Sequence, residues 1–264
     1  MPQDFFGRIV YIVQRNGMSY LNGAANTMII AVVSTFIGCL IGFAVGIVQT
    51  IPVDKNDSII KRVFLKVIRL ILGAYVEVFR GTPMMAQATF IYFGSAAVFN
   101  INMSMWFAAF FIVSINTGAY MAETVRGGIL SIDPGQTEGA KAIGMNHFQT
   151  MLYVILPQAL RNIMPQIGNN LIINIKDTCV LSTIGIVELF YATKSVAGAL
   201  YTYFESYSVA MVIYFILTFT CSRLLRLWEK KLDGSDNYDL ATTDTLAHTS
   251  GLYNYTERKE EHHE

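Results

Sequence analysis

The sequence predicts an all-α, polytopic membrane protein. About five transmembrane helices are expected, with the N-terminus outside, the C-terminus in the cytosol and a cytosolic loop of short helices. Three observations carry this. Hydrophobic residues make up 53% of the chain and charged residues only 14%, whereas about a quarter of a soluble domain is charged. Apolar stretches reach the roughly 20 residues that a helix needs to cross a hydrocarbon core. Lys and Arg gather in alternate connections.

The elements follow in order. Residues 1–23 read as an external N-terminal segment. It lacks a basic start followed by a long apolar core, so a cleavable signal peptide is not expected. Ala24 to Ile51, "AANTMIIAVVSTFIGCLIGFAVGIVQTI", is the first crossing. Its Gly38, Gly42 and Gly46 recur at four-residue spacing, which lets another helix approach closely, either within the chain or in a second subunit. A polar linker with Lys55, Lys61, Arg62 and Lys66 follows, with Arg69 just beyond. Val67 to Asn100 reads as one crossing broken near Pro83, since proline removes a helix donor. Arg80, Gly81 and Thr82 mark that break. Met84, Met85, Gln87 and Thr89 follow it and offer either a pore-facing side or core packing.

Met105 to Tyr120, continuing toward Glu123, is the third crossing. The fourth is Gln166 to Val187, and the fifth is Ser208 to Trp228. Residues 24–231 thus form one transmembrane domain. With five crossings, Lys55, Lys61, Arg62, Lys66, Arg126, Lys141, Arg161, Arg223, Arg226, Lys230 and Lys231 all face the cytosol. Only Arg8, Arg15 and Lys194 stay outside, which is the expected bias. Residues 232–264 are polar and bury little, predicting a disordered cytosolic tail. His262 and His263 at its end are read as solvated.

The formal net charge is zero, so nothing points to nucleic acid. Cys39, Cys179 and Cys221 are too few and too scattered for a disulfide framework or a zinc site, and no metal site is expected.

Between the third and fourth crossings lies a polar island, about residues 124–165. Pro134 and Gly135 signal a turn. A short helical run, "QTEGAKA", is stopped at Gly144. A second, "NHFQTMLYVIL", is stopped at Pro157. Two short helices joined at a glycine would present a knob to a partner below the membrane.

This island resembles the Glu-Ala-Ala loop of ATP-binding-cassette importer permeases. Glu138-Gly139-Ala140, Gly144, Val154 and Leu156-Pro157 keep every spacing of that pattern, with Gly139 and Val154 departing from Ala and Ile. "VEVFRGTPMMAQATFIYFG", "AYMAETVRGGILSIDPGQTEGAKAIG" and "NLIINIKDTCVLSTIGIVEL" are similar to the subfamily that imports polar amino acids. The resemblance covers about residues 22–232. It implies a permease subunit in a bacterial cytoplasmic membrane, working with a second, identical or related permease subunit. Two ATPase subunits would dock on the loops, and an external binding protein would deliver the amino acid. ATP and Mg would belong to the ATPase, since the chain has no Gly-x4-Gly-Lys-Ser/Thr phosphate loop. The chain itself is not expected to be an enzyme. The alternatives are a permease for another small solute, or a non-transporting sensor that binds an ATPase.

By this resemblance Glu138, Gly139, Ala140, Gly144, Leu156 and Pro157 form the coupling element. Glu138 would otherwise be a solvated acid at a helix start. Lys176, Asp177, Thr178, Gln87 and Glu188 are the pathway candidates. Ionised side chains inside a crossing cost about 2.5–3.5 kcal/mol each to insert, so they face a cavity or a partner. Either Asp177 takes a substrate ammonium and Lys176 a carboxylate, or both belong to a charge network between subunits. Glu188 and Glu205 sit near the outer face, as solvated acids or as contacts for substrate or binding protein. Glu123 and Arg126, three residues apart, either pair with each other or gate.

Overall fold

Asp4 begins the first helix by accepting a hydrogen bond from the Gly7 amide through its carboxylate, at 2.6 Å. A computed structural model describes residue 2, residues 4–53 and residues 58–233, the side chains of 229–233 excepted. Lys55 and the tail from residue 234, with His262 and His263, lie outside the described residues, as do the side chains of Lys230 and Lys231. The described residues are almost all helical, with no strand among them.

Helix α1 runs Phe5–Thr50, 46 residues or about 69 Å at 1.5 Å per residue. The helix thus begins well ahead of Ala24, where the first crossing was expected to start, and is longer than one crossing needs. Residues 5–23 are the N-terminal part of the same helix. Asn16-Gly17 and Asn22-Gly23, which favour turns in water, stay helical because this part is packed. Ile12 and Tyr20 lie against Leu189, Val196 and Val209. Gly23 meets the backbone so closely that a Cβ there would stand 2.9 Å from Leu189 Cα.

The glycine stripe of α1 faces helix α4 (Met105–Leu130) of the same chain. A Cβ on Gly38 would stand 2.6 Å from Thr117 Cβ, and one on Gly46 2.8 Å from Val125 Cβ. On Gly42 it would stand 2.3 Å from Met121 Cβ and 2.8 Å from that residue's backbone carbon. The close approach is thus internal to the chain. α1 with α4 is the most extensive helix pairing of the structure.

α2 (Ile59–Gly81) and α3 (Met84–Phe99) are separated at Thr82 and Pro83, where the break was expected. α4 continues ten residues past Tyr120, so the island begins only after Leu130. In it, α5 (Pro134–Ala142) starts on the proline itself. Pro fits a first helical turn, where its missing N–H has no partner to lose.

The expected stop at Pro157 is not there. α6 (His147–Gln149) passes through a π-helical segment, Thr150–Ile155, straight into α7 (Leu156–Asp177). Pro157 sits in the first turn of α7, and the wider π turn before it makes room for the ring. α7 ends at Asp177, ten residues before the expected end of the fourth crossing. A 3₁₀ segment, Thr178–Ile184, follows, and the left-handed Gly185 (φ 91°) stops it. α8 (Leu189–Leu200) then runs at a 55° bend to the preceding helix. α9 (Tyr203–Asp233) is the last helix described.

Among the described residues, α1, α4 and α9 from Tyr203 to Trp228 are individually long and apolar enough to cross a membrane. The run His147–Ile184 qualifies together with α8 as a bent pair, and α3 is a shorter apolar helix. By length and composition these are three spans, or four with the bent pair; the expected crossing Val67 to Asn100 falls on α2 and α3, which do not qualify as one.

Gly42→Leu is expected to prevent assembly, because its Cβ meets Met121 backbone that cannot move aside. Gly73→Ala, with open space at that position, should be neutral or stabilising by about 0.5–1 kcal/mol. Yield and size-exclusion profile of the two purified variants check this. Normal assembly of Gly42→Leu would contradict the packing described.

Candidate functional site

α2 cannot finish its hydrogen bonds at Gly81, because Pro83 brings no amide N–H. The orphaned carbonyls are taken up by a side chain. Gln87 Nε2 donates to Phe79 O at 2.9 Å, to Thr82 O at 3.0 Å and to Thr82 Oγ1 at 2.8 Å. Gln87 Oε1 accepts from Asn116 Nδ2 at 2.9 Å, and Asn116 Nδ2 also reaches Phe79 O at 3.1 Å. This pairs backbone groups at the helix break that would otherwise be left without partners.

Beside the break lies a polar cavity of about 290 Å³. Thr82, Pro83 and Met84 form one side, Asn116, Thr117 and Tyr120 of α4 a second, and Asn170, Ile173, Asn174 and Asp177 of α7 a third. Asn174 is fixed from behind: its Nδ2 donates to Thr35 Oγ1 at 2.7 Å and to Thr117 Oγ1 at 2.9 Å. Asn170 Nδ2 donates to Gln166 O at 3.0 Å. The amide donors are therefore spent on the protein. The carbonyl oxygens of Asn116 and Asn170 accept nothing among the described residues. With the Asp177 carboxylate they make an acceptor-rich wall, suited to N–H groups and positive charge.

Of the pathway candidates, Asp177 alone lines this cavity. Lys176, one residue away and so about 100° around the helix, is exposed elsewhere. Thr178 is fully buried and donates to Ile175 O at 3.0 Å. Gln87 is the clasp behind the wall. Glu188 is not a solvated loop acid but wholly buried at the start of α8. Its carboxylate accepts from the amides of Phe190 at 2.8 Å and Tyr191 at 2.7 Å, and from the Tyr214 hydroxyl at 3.1 Å. Glu205 is also paired, with Arg8 at 3.0 Å. Glu123 bonds Arg126 and lies 3.7 Å from Arg80, whose guanidinium sits 5.6 Å from the Tyr120 ring centroid. The expected Glu123–Arg126 pair is thus part of a three-residue cluster one helical turn from the cavity.

The loop residues stand apart. Asp133 caps α5 through the Gly135 amide at 2.7 Å. At the other end Gly144 takes φ 86°, its amide donating to Lys141 O at 3.0 Å and that of Met145 to Ala140 O at 3.1 Å. That paired closure requires a left-handed residue. Asn146 and Gln149 then form a reciprocal capping box for α6. Glu138 and Gly139 are exposed and Ala140 is buried. Ile143, Phe148 and Tyr153 of the loop are exposed by 79%, 72% and 67%.

Residues 58–233 match the family described as the binding-protein-dependent transport system inner membrane component. The chain belongs to this family. The putative glutamine transport system permease protein of Rickettsia typhi is 32% identical over 228 residues, 86% of this chain and 95% of that protein. The glutamine transport system permease protein of Escherichia coli K12 is 36% identical over 213 residues, covering 80% and 92%. A solved amino acid ABC transporter with histidines superposes with a TM-score of 0.74 at 35% identity, over 88% of this chain and all of that one. The MetNI methionine ABC transporter, at 20% identity and a TM-score of 0.61, shares the fold. The permease is thus a multi-pass membrane protein of the polar-amino-acid importer type, and the resemblance read from the loop holds.

Sequence reasoning missed the asparagines of the permease. Asn162, Gln166, Asn170 and Asn174 recur every four residues along α7, ending beside Asp177. On α4, Asn116, Tyr120 and Glu123 follow the same face. Such polar stripes in otherwise apolar helices are readable signals.

Glu188→Ala is expected to lower the thermal midpoint of the purified permease, since two helix-start amides and the Tyr214 hydroxyl lose their buried partner. Each group so orphaned costs about 1–3 kcal/mol, whereas Glu188→Gln should recover part of the loss. An unchanged midpoint for the alanine variant would refute the capping role.

Proposed function

We propose that the permease passes a polar amino acid through the Asp177 cavity, driven by ATP hydrolysis on separate subunits docked at the Glu138–Pro157 loop. The observation that carries this is the acceptor-rich cavity, where α4 and α7 bring one carboxylate and two free amide oxygens together beside the α2–α3 break. An α-ammonium fits the Asp177 carboxylate by charge. The amide oxygens of Asn116 and Asn170 suit a side-chain N–H, as on glutamine, which the relatives' names give as their substrate. A binding protein would deliver the solute from outside, and a second permease subunit, identical or related, would complete the pathway. ATP and Mg would be held by the ATPase.

The loop supports the docking half of the reading. Glu138 is exposed on α5 and Ile143, Phe148 and Tyr153 are exposed in the same loop, so the loop offers a partner both an acid and apolar side chains. The Lys and Arg distribution puts this loop in the cytosol.

Asp177→Asn, close to isosteric, tests the pathway. Uptake and substrate-stimulated ATPase of the assembled complex should fall at least tenfold, about 1.4 kcal/mol or more of lost ammonium binding. Unchanged substrate dependence of both would remove Asp177 from the pathway. Gly144→Val tests the coupling. A β-branched residue at φ 86° is strained by about 1–2 kcal/mol. Transport should fall through weaker ATPase co-purification or uncoupled hydrolysis, while the ranking of competing amino acids stays the same. A reordered ranking with coupling intact would remove the loop from that role.

A further inference from the structure

α2 carries Lys61, Arg62, Lys66 and Arg69 in its first three turns. Arg62, Lys66 and Arg69, at i, i+4 and i+7, share one face. With Val53, Ile59 and Val63 they line a concave patch of about 460 Å³. Among the described residues no carboxylate pairs with any of the three, and Arg69 Nε is buried without a hydrogen-bond partner. The nearest acids in sequence are Asp54 and Asp57 before the helix, outside the described residues, and Glu77, eight residues or about 12 Å beyond Arg69. Between residues 54 and 69 there are five Lys or Arg against two Asp, so the stretch stays positive.

The neighbouring flank of α2 is apolar and uncovered, with Ile60, Phe64 and Leu70 exposed by 82%, 61% and 75%. On a 100° helical projection the three cations lie at the edge between that flank and the packed side of Leu65 and Val76. An amphipathic helix with cations along its edge is built for the boundary between headgroups and acyl chains.

We propose that this patch binds the headgroup of an anionic glycerophospholipid, whose acyl chains lie along the exposed flank of α2. A soluble phosphate would satisfy the cations but leave Val53, Ile59 and Val63 uncovered. The combination of three unpaired cations with a continuous apolar flank matches both halves of a phospholipid. The binding rests on the α1–α2 connection lying at the membrane surface and not on which solute is carried.

The test uses the full permease assembled with its ATPase in nanodiscs of phosphatidylcholine, with and without phosphatidylglycerol. Native mass spectrometry then reads which lipid stays bound. The unaltered complex should retain phosphatidylglycerol preferentially. The triple variant Arg62→Gln, Lys66→Gln, Arg69→Gln should lower that preference at least about tenfold, since one cation near an anionic surface contributes about fivefold. The Arg62→Lys, Arg69→Lys variant should keep it, and millimolar glycerol 1-phosphate should not displace the lipid. Equal retention in the triple variant overturns the proposal. So does displacement by glycerol phosphate, which marks a soluble-anion site, or loss of the ATPase, which marks a protein contact. If the triple variant does not fold, the single Arg62→Gln and Arg69→Gln variants decide, each with a several-fold smaller preference expected. The readout is lipid retention, so its failure leaves the uptake proposal standing.

Discussion

The close approach of α1 and α4 is the constraint on which the rest depends. Three glycines in register with Thr117, Met121 and Val125 remove the α1 side chains from that contact. In a membrane no hydrophobic drive joins helices, so packing at this distance and interhelical hydrogen bonds must supply the association. The same approach brings Thr35 and Thr117 within reach of one Asn174 amide. That network ties α7 to the pair, and α7 carries the one ionised group of the cavity wall. A wider α1–α4 spacing would separate Thr35 from Thr117 and leave Asn174 free to turn.

Polar residues within these helices do two different things, and their insertion cost alone does not say which. Gln87 and Glu188 look like pathway residues because they are polar among apolar neighbours. Both instead satisfy helix ends: Gln87 the carbonyls before Pro83, Glu188 the amides at the start of α8. What separates them from Asp177 is the backbone next to each. A proline break or a helix start leaves orphan groups that a nearby side chain must take up. Asp177 has no such duty among the described residues, and its carboxylate is left for the cavity.

The legible parts of the fold were those set by local sequence: the Pro83 break, the left-handed Gly144, the spacing of the loop and the glycine stripe. The partner of that stripe was not legible, because spacing declares a close approach without saying to what. That residues 5–23 continue the first helix was not legible, because Asn16-Gly17 and Asn22-Gly23 favour turns in water and only packing against Leu189, Val196 and Val209 holds them helical. Leu156-Pro157 read as a stop because proline usually is one, while a π segment just before it lets the helix continue. Asp177 stood out by its charge. Asn116, Asn170 and Asn174 were passed over because a neutral amide is unremarkable singly, and only their four-residue recurrence marks a face.

The continuity at Pro157 matters for how the two ends of the molecule communicate. From Leu156 to Asp177 the chain is one α-helix, about 33 Å long at 1.5 Å per residue. At its lower end Gln158 Nε2 donates to Gln136 Oε1 of α5 at 3.2 Å, and the π segment feeds it directly from the loop. At its upper end it presents Asn170, Asn174 and Asp177 to the cavity. A stop at Pro157 would have put a flexible joint between the loop helices and the polar wall. The helix runs on through that point from α6 to Asp177, with Pro165, which removes one helix hydrogen bond, as the weak point within it. At the far end the 3₁₀ turn and Gly185 end the helix, and α8, which leaves at 55°, is held separately by Glu188.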